Sequence, residues 1–300
     1  MRQSNIELCR IITMLMILAV HSTYQTFGLP SGWERPNFGL ILLHYSTIIG
    51  VNVFALMTGF FSLSIKKRSL FRYLFTCLFY GVLLLICSIC FLDFNIRQLF
   101  FISQGNWYVS AYLGLIFFSP VLNAFVEKID KAGFRKILVC LIGFQIWYEF
   151  IPKEVSNFHS GYSILSLIII YLLGRYFRLY GIPRLIIRYR YAIYIFISVI
   201  SAIISWECYT HGFHGDYIDL SLRRYNNPMV LLSATAFFSI FLSLRIKQSR
   251  AINHIARSSF PVLIVHTSDQ FLPYYSAFFR RIFVQNQGFT LILAWGGEFS

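Results

Sequence analysis

The chain has 300 residues, of which 57% are hydrophobic and 13% charged, against about 25% charged in an ordinary soluble domain. That leaves too little polar surface to cover a water-facing globule. A net charge of +14 would suit a nucleic-acid partner, but its placement along the chain assigns it to membrane topology instead.

In chain order, apolar blocks predict spans at about 8–27, 38–63, 69–92, 107–126, 137–151, 162–180, 191–209, 229–244 and 258–279. Most approach the ~20 residues that cross ~30 Å of hydrocarbon; the fifth is short and the eighth nearly so. The first block carries Arg10 and His21 and lacks a small-residue cleavage site, so it reads as a retained helix rather than a signal peptide. Ser4-Asn5-Ile6-Glu7 reads as a capping box that starts it. Outer loops are expected at 28–37, 93–106, 152–161 and 210–228. Of the 26 Lys and Arg residues, 19 fall in gaps assigned inside and 7 in gaps assigned outside. This asymmetry is the positive-inside signal and puts the N-terminus in the cytoplasm. The expected fold is an all-α polytopic transmembrane bundle of nine to ten spans, a single domain over 1–300. The last apolar run, 289–295, is too short to be a tenth span. Either the chain ends outside, or its C-terminus is truncated or frameshifted.

The six cysteines give no disulfide framework. Cys87 and Cys90 form a C-x-x-C without a partner motif, and cysteines inside apolar blocks behave as small hydrophobes.

The first helix concentrates the chemistry. Arg10 and His21 are eleven residues apart, which returns them to within about 20° of one face and separates them by roughly 16 Å along the axis. Glu7 precedes Arg10 by three residues, while Tyr24 and Gln25 follow His21 by three and four. Arg10 alone would read as an anchor snorkelling to the interface, and His21 alone as an interhelical hydrogen-bond partner. Together on one face, at a depth where ionisable groups are rare, they read as functional. His44 and His266 are expected at comparable depth in the second and ninth spans, so three histidines can line one cavity. Asp269, three residues beyond His266, can orient its ring. Arg72 adds positive charge at the cytoplasmic mouth. The loop His211-Gly212-Phe213-His214-Gly215-Asp216 is a weak metal pattern, and no metal is expected. Trp33, Trp107 and Trp206 fall near outer span ends, where an interface belt is the usual explanation.

Residues 5–12, Asn-Ile-Glu-Leu-Cys-Arg-Ile-Ile, followed by His21, resemble the first helix of the acyltransferase-3 integral-membrane acyltransferases. Gly50-Val51-Asn52-Val53-Phe54 with Thr58-Gly59-Phe60 supports the likeness. So do Asn106-Trp107-Tyr108 with Ala111-Tyr112 and Pro120, and Ser258-Ser259-Phe260 leading to His266. The resemblance covers nearly the whole chain to about residue 272. It implies O-acylation, usually O-acetylation, of a carbohydrate or lipid-linked glycan acceptor in polysaccharide biosynthesis, with acetyl-CoA as cosubstrate, at the bacterial inner (plasma) membrane.

In that chemistry His21 and Arg10 are the expected catalytic pair, with Arg10 and Arg72 toward the donor's phosphates and Glu7, His44, Trp107 and His266 toward the acceptor. Imidazole titrates near neutral pH and suits proton transfer from a hydroxyl; guanidinium suits phosphate. Whether His21 acts as base or is transiently acylated stays open at this level. A transporter of a glycan or lipid-linked intermediate would also line a path with polar residues, and predicts internal repeats with broken helices in matching halves. No repeat is visible in the sequence. An inactive remnant is the third reading.

Overall fold

The computed structural model describes residues 3–27, 36–90, 107–150, 158–211, 218 and 221–285. Among them every regular element is helical. The expected loop at 93–106, most of those at 28–37 and 152–161, and residues 212–217 and 219–220 of that at 210–228 lie outside the described residues, as do Trp33, Asn106 and the 289–295 run.

Helix α1 is Ser4–His21, followed by the single turn α2, Tyr24–Phe27. The second expected span is two helices, α3 (Phe38–Thr47) and α4 (Gly50–Phe61). Then come α5 (Lys67–Cys90), α6 (Trp107–Lys128), α7 (Lys131–Phe150), α8 (Ile164–Tyr180) and α9 (Arg184–His211). The chain continues through α10 (Pro228–Ser243), α11 (Arg250–Ile255), α12 (Ser259–His266) and α13 (Phe271–Gln285). Among the described residues, five stretches are long and apolar enough to cross a membrane: α1, α3 with α4, α5, α6 and α9. The fifth, sixth and eighth expected spans correspond to α7, α8 and α10, the last a shorter apolar helix.

The ninth expected span is not one helix. It divides into α12 and α13 around Thr267–Gln270, where Ser268 Oγ donates to the Val265 carbonyl and accepts from Phe271 N–H. Hydroxyls that bond nearby backbone offer it an alternative to the helical ladder. The same device ends α1: Ser22 Oγ donates to Ala19 O at 2.8 Å and Thr23 Oγ1 to Val20 O at 2.6 Å. Polar caps begin the helices that follow breaks. Asn37 accepts from Leu40 N–H, Ser163 from Ser166 N–H, and Asn227 from Met229 N–H with Pro228 in the first turn.

The expected capping box is not formed. Ser4 Oγ instead donates toward Gln248 Oε1 at 2.8 Å and accepts from Ser249 N–H at 2.8 Å, and Glu7 pairs with Arg10. A tertiary partner has taken Ser4 and a neighbour on the same helix has taken Glu7, so α1 is tied through Ser4 to the segment preceding α11.

The core lies between α1, α4, α8 and α10, around Ile17, Val53, Leu56, Ile170, Ala234 and Phe238. Helices α4 and α8 pack backbone to backbone. A Cβ on Gly59 would fall 2.1 Å from the Tyr171 carbonyl oxygen, and one on Gly174 2.4 Å from that of Leu56. Close approach through small residues is how helices associate where lipid removes the hydrophobic drive. Tyr171 donates to Asn123 Oδ1 and Asn123 Nδ2 to Leu63 O, both at 2.7 Å, fastening the end of α4 to α6 and α8. Helix α5, by contrast, turns Phe71, Phe75, Phe79, Leu83 and Ile86 outward. An apolar face of that size suits acyl chains and not water.

Two abutting cavities and the residues that line them

Helix α1 carries Arg10 near one end and His21 as its last residue. Arg10 Nη1 donates to Glu7 Oε2 at 3.0 Å, one turn back along the helix. Glu7 is buried, at 5% exposure, so its carboxylate holds the guanidinium while leaving Nη2 and Nε free to meet an anion. Arg10 opens into a cavity of about 810 Å³ whose wall also includes Arg72 of α5, Arg257, Tyr73, Tyr112 and Thr58. Three guanidinium groups from separate elements thus converge on one space. Glu7 is not on its wall.

His21 lines a second cavity of about 190 Å³, with Gln25, Thr26, Trp107, Tyr162, Tyr225 and Thr267. Tyr108 and Leu263 line both cavities, so the two spaces abut there. The rings around the second cavity form a cluster. The Trp107 centroid is 4.7 Å from that of Tyr162 and 6.0 Å from that of Tyr225, nearly parallel to the latter. Tyr162 and Tyr225 are 4.7 Å apart, and Gln25 Nε2 donates to the Tyr162 hydroxyl at 2.6 Å. Trp107 therefore faces the cavity as part of a platform, and not a lipid interface.

The three histidines separate into a pair and an outlier. His21 Nδ1 and His266 Nε2 are 3.1 Å apart, and His266 Nδ1 donates to the Val262 carbonyl at 2.9 Å. His266 is 2% exposed and both its ring nitrogens are occupied, so it has none left for a ligand; its expected contact with an acceptor is corrected to a contact with His21. The Val262 carbonyl, not Asp269, orients the ring, because the break after α12 leaves Asp269 exposed while the carbonyl one turn back is in reach. His44 lies off both cavity walls. Thr23 Oγ1 has spent its proton on Val20 O and accepts from His44 Nδ1–H at 2.9 Å, so His44 braces the turn after α1. Its expected place beside the acceptor is likewise not what the geometry gives.

Sequence reasoning did not single out Arg257, Tyr162 or Tyr225 as site residues. Arg257 follows a basic stretch that reads as anchoring, and Tyr162 and Tyr225 sit at span edges where aromatic belts are expected. His211, at the start of the loop with the weak metal pattern, pairs with Glu207 at 3.0 Å; residues 212–217 lie outside the described ones.

A bundle of long apolar helices, with a cationic cavity that abuts a histidine-bearing one, defines a multi-pass membrane protein. The family model for an acyltransferase domain, Acyl_transf_3, matches residues 3–297, and the chain belongs to that acyltransferase-3 family. It is an acyltransferase that moves groups other than aminoacyl groups, which decides for the enzyme over the transporter. Neither the curated proteins nor the solved structures contain a match.

Proposed function

We propose that the enzyme transfers an acetyl group from cytoplasmic acetyl-CoA to a hydroxyl of a surface carbohydrate or lipid-linked glycan, at the bacterial plasma membrane. The observation that carries this reading is the pair of cavities meeting at Tyr108 and Leu263. One has the charge for a phosphate-rich donor and the other a base beside aromatic faces. Arg10, Arg72 and Arg257 receive the donor's phosphates, for which the guanidinium fork is matched. The donor's flexible arm spans the roughly 16 Å along α1 toward His21. Trp107, Tyr162 and Tyr225 present flat apolar faces to the C–H side of a sugar ring, while Gln25 and Thr26 serve its hydroxyls.

In the reaction the acceptor oxygen bonds to the thioester carbonyl carbon and the carbon–sulfur bond breaks. His21 takes the hydroxyl proton and returns it to the departing thiolate. General-base help of this kind contributes about 10²–10⁴ in rate.

The topology that goes with this reading has nine to ten spans and a cytoplasmic N-terminus. The arginines from the expected inner gaps, Arg72 and Arg257, meet Arg10 at one cavity. Arg224, from an expected outer gap, lies with Glu149 at 3.8 Å. The deciding experiment measures base-labile acetyl esters on surface glycans with and without the gene, together with transfer from labelled acetyl-CoA by purified enzyme. Unchanged ester content and no transfer would reject the donor and acceptor classes together.

A further inference from the structure

His21 and His266 lie 245 residues apart in sequence, yet each is the last residue of its helix, α1 and α12. Their rings meet at 3.1 Å between Nδ1 of His21 and Nε2 of His266, with centroids 5.1 Å apart and planes tilted by 53°. This geometry determines where the protons sit. The Val262 carbonyl can only accept, so the 2.9 Å bond from His266 Nδ1 requires a proton on that nitrogen. In a neutral imidazole the second nitrogen is then an acceptor. His266 Nε2 therefore receives the proton of His21 Nδ1–H, and His21 Nε2 keeps a free lone pair.

We propose that His266 is a positioning residue that fixes His21 in its Nδ1–H tautomer, making Nε2 the atom that takes the acceptor's proton. The assignment rests on the acyl-transfer reading above and gives its base a specific atom. As the hydroxyl oxygen bonds to the acyl carbon, its proton moves to His21 Nε2, and from there to the sulfur released by carbon–sulfur cleavage. His266 gains and loses nothing. Its bond from His21 Nδ1–H becomes charge-assisted while His21 carries the extra proton, and such bonds are roughly twice as strong as neutral ones. The α12–α13 break has a purpose in this scheme, since it ends α12 at the ring that must face His21. His44 is not a competing partner, because its Nδ1–H is held by Thr23.

The test uses full-length protein in lipid nanodiscs as wild type, His266→Gln and His266→Leu. Gln places an amide oxygen near the position of Nε2 and still accepts from His21 Nδ1–H; Leu fills space and accepts nothing. Nitrogen-15 NMR of histidine-labelled protein reads the His21 tautomer without any substrate. The wild type and His266→Gln should show the Nδ1–H form, and His266→Leu a mixture. With acetyl-CoA and a glycan acceptor, His266→Leu should lose about 10²-fold in kcat with an unchanged KM for acetyl-CoA, and His266→Gln should recover to within about tenfold of wild type. An Nε2–H tautomer of His21 in the wild type would overturn the proposal, even if His266→Leu failed to fold. So would equal kcat in folded Leu and Gln variants. Absence of transfer by the wild type, with the tautomer as expected, would reject the functional reading and leave the histidine pair standing.

Discussion

Arg10 owes its orientation to Glu7, and its consequences for binding differ from those of His21. The carboxylate fixes one Nη1 edge, so the remaining donors are presented together and a phosphate can be met by two of them. Arg10→Lys keeps the charge but replaces a planar fork by a point ammonium. It should weaken acetyl-CoA binding about tenfold or more, at the level of one lost charge-assisted hydrogen bond, while leaving the protein inserted. His21→Ala should retain donor binding and lose about 10²–10⁴ in turnover. Calorimetric donor binding set beside a glycan acylation assay separates the two, and near-normal acylation by well-inserted His21→Ala would remove this histidine from the chemistry. Arg10, Glu7 and His21 were legible in the sequence because helical periodicity puts them on one stripe of one helix. The pairing of His21 with His266 was not, since periodicity says nothing about contacts between elements so far apart in the chain. Tyr162 and Tyr225 were hidden for a related reason: an aromatic residue at a span edge has the same pattern whether it faces lipid or a cavity.

At the scale of elements, the seam between α4 and α8 sets how closely the core can close. Neither Gly59 nor Gly174 has room for a Cβ, because the atoms it would meet are backbone atoms that cannot swing aside. Gly174→Ala should therefore push α4 away from α8 and destabilise the fold by about 1–3 kcal/mol, the range of overpacked cores. A fall in the thermal midpoint of detergent-purified protein is the expected sign, and an unchanged midpoint would mean that the helices do not pack this closely. Gly143 is the control, since nothing lies within 4 Å of its added Cβ; Gly143→Ala, inside α7, should not lower the midpoint and should raise it slightly through helix propensity. Hydropathy located these helices well and their breaks poorly. The breaks at Ser22–Thr23, Ile48–Ile49 and Thr267–Gln270 cost little in average hydrophobicity, and at the first and third hydroxyl bonds to nearby carbonyls mark what composition does not. Those breaks place His21 and His266 at helix ends, so the feature least visible in the sequence positions the residue most visible in it.

For the molecule as a whole, the separation of the proposed donor and acceptor spaces matters as much as their contact. If the bundle lies as proposed, Arg184, exposed at the start of α9, faces the cytoplasm, and Arg184→Cys should react with an impermeant maleimide only in inverted vesicles. Labelling in intact cells would reverse the assignment of the Arg10 cavity to the donor side. The Tyr108 ring raises a more specific expectation. It lines both cavities and stands edge-on to Trp107, with centroids 5.7 Å apart, so under the proposed function it is part of the partition that the acyl group crosses. A thioester beside an unprotected histidine is exposed to water as well as to sugar, and closing the site against water suppresses that side reaction. Tyr108→Ala should merge the spaces, raise acceptor-independent hydrolysis of acetyl-CoA, and lower the fraction of acetyl groups that reach the glycan. Tyr108→Phe keeps the ring and loses only the hydroxyl, so it should remain coupled. Released free thiol compared with glycan-bound acetate gives the coupling ratio directly. If Tyr108→Ala stays as tightly coupled as the wild type, Tyr108 is only part of the wall, and the barrier to hydrolysis lies elsewhere in the bundle.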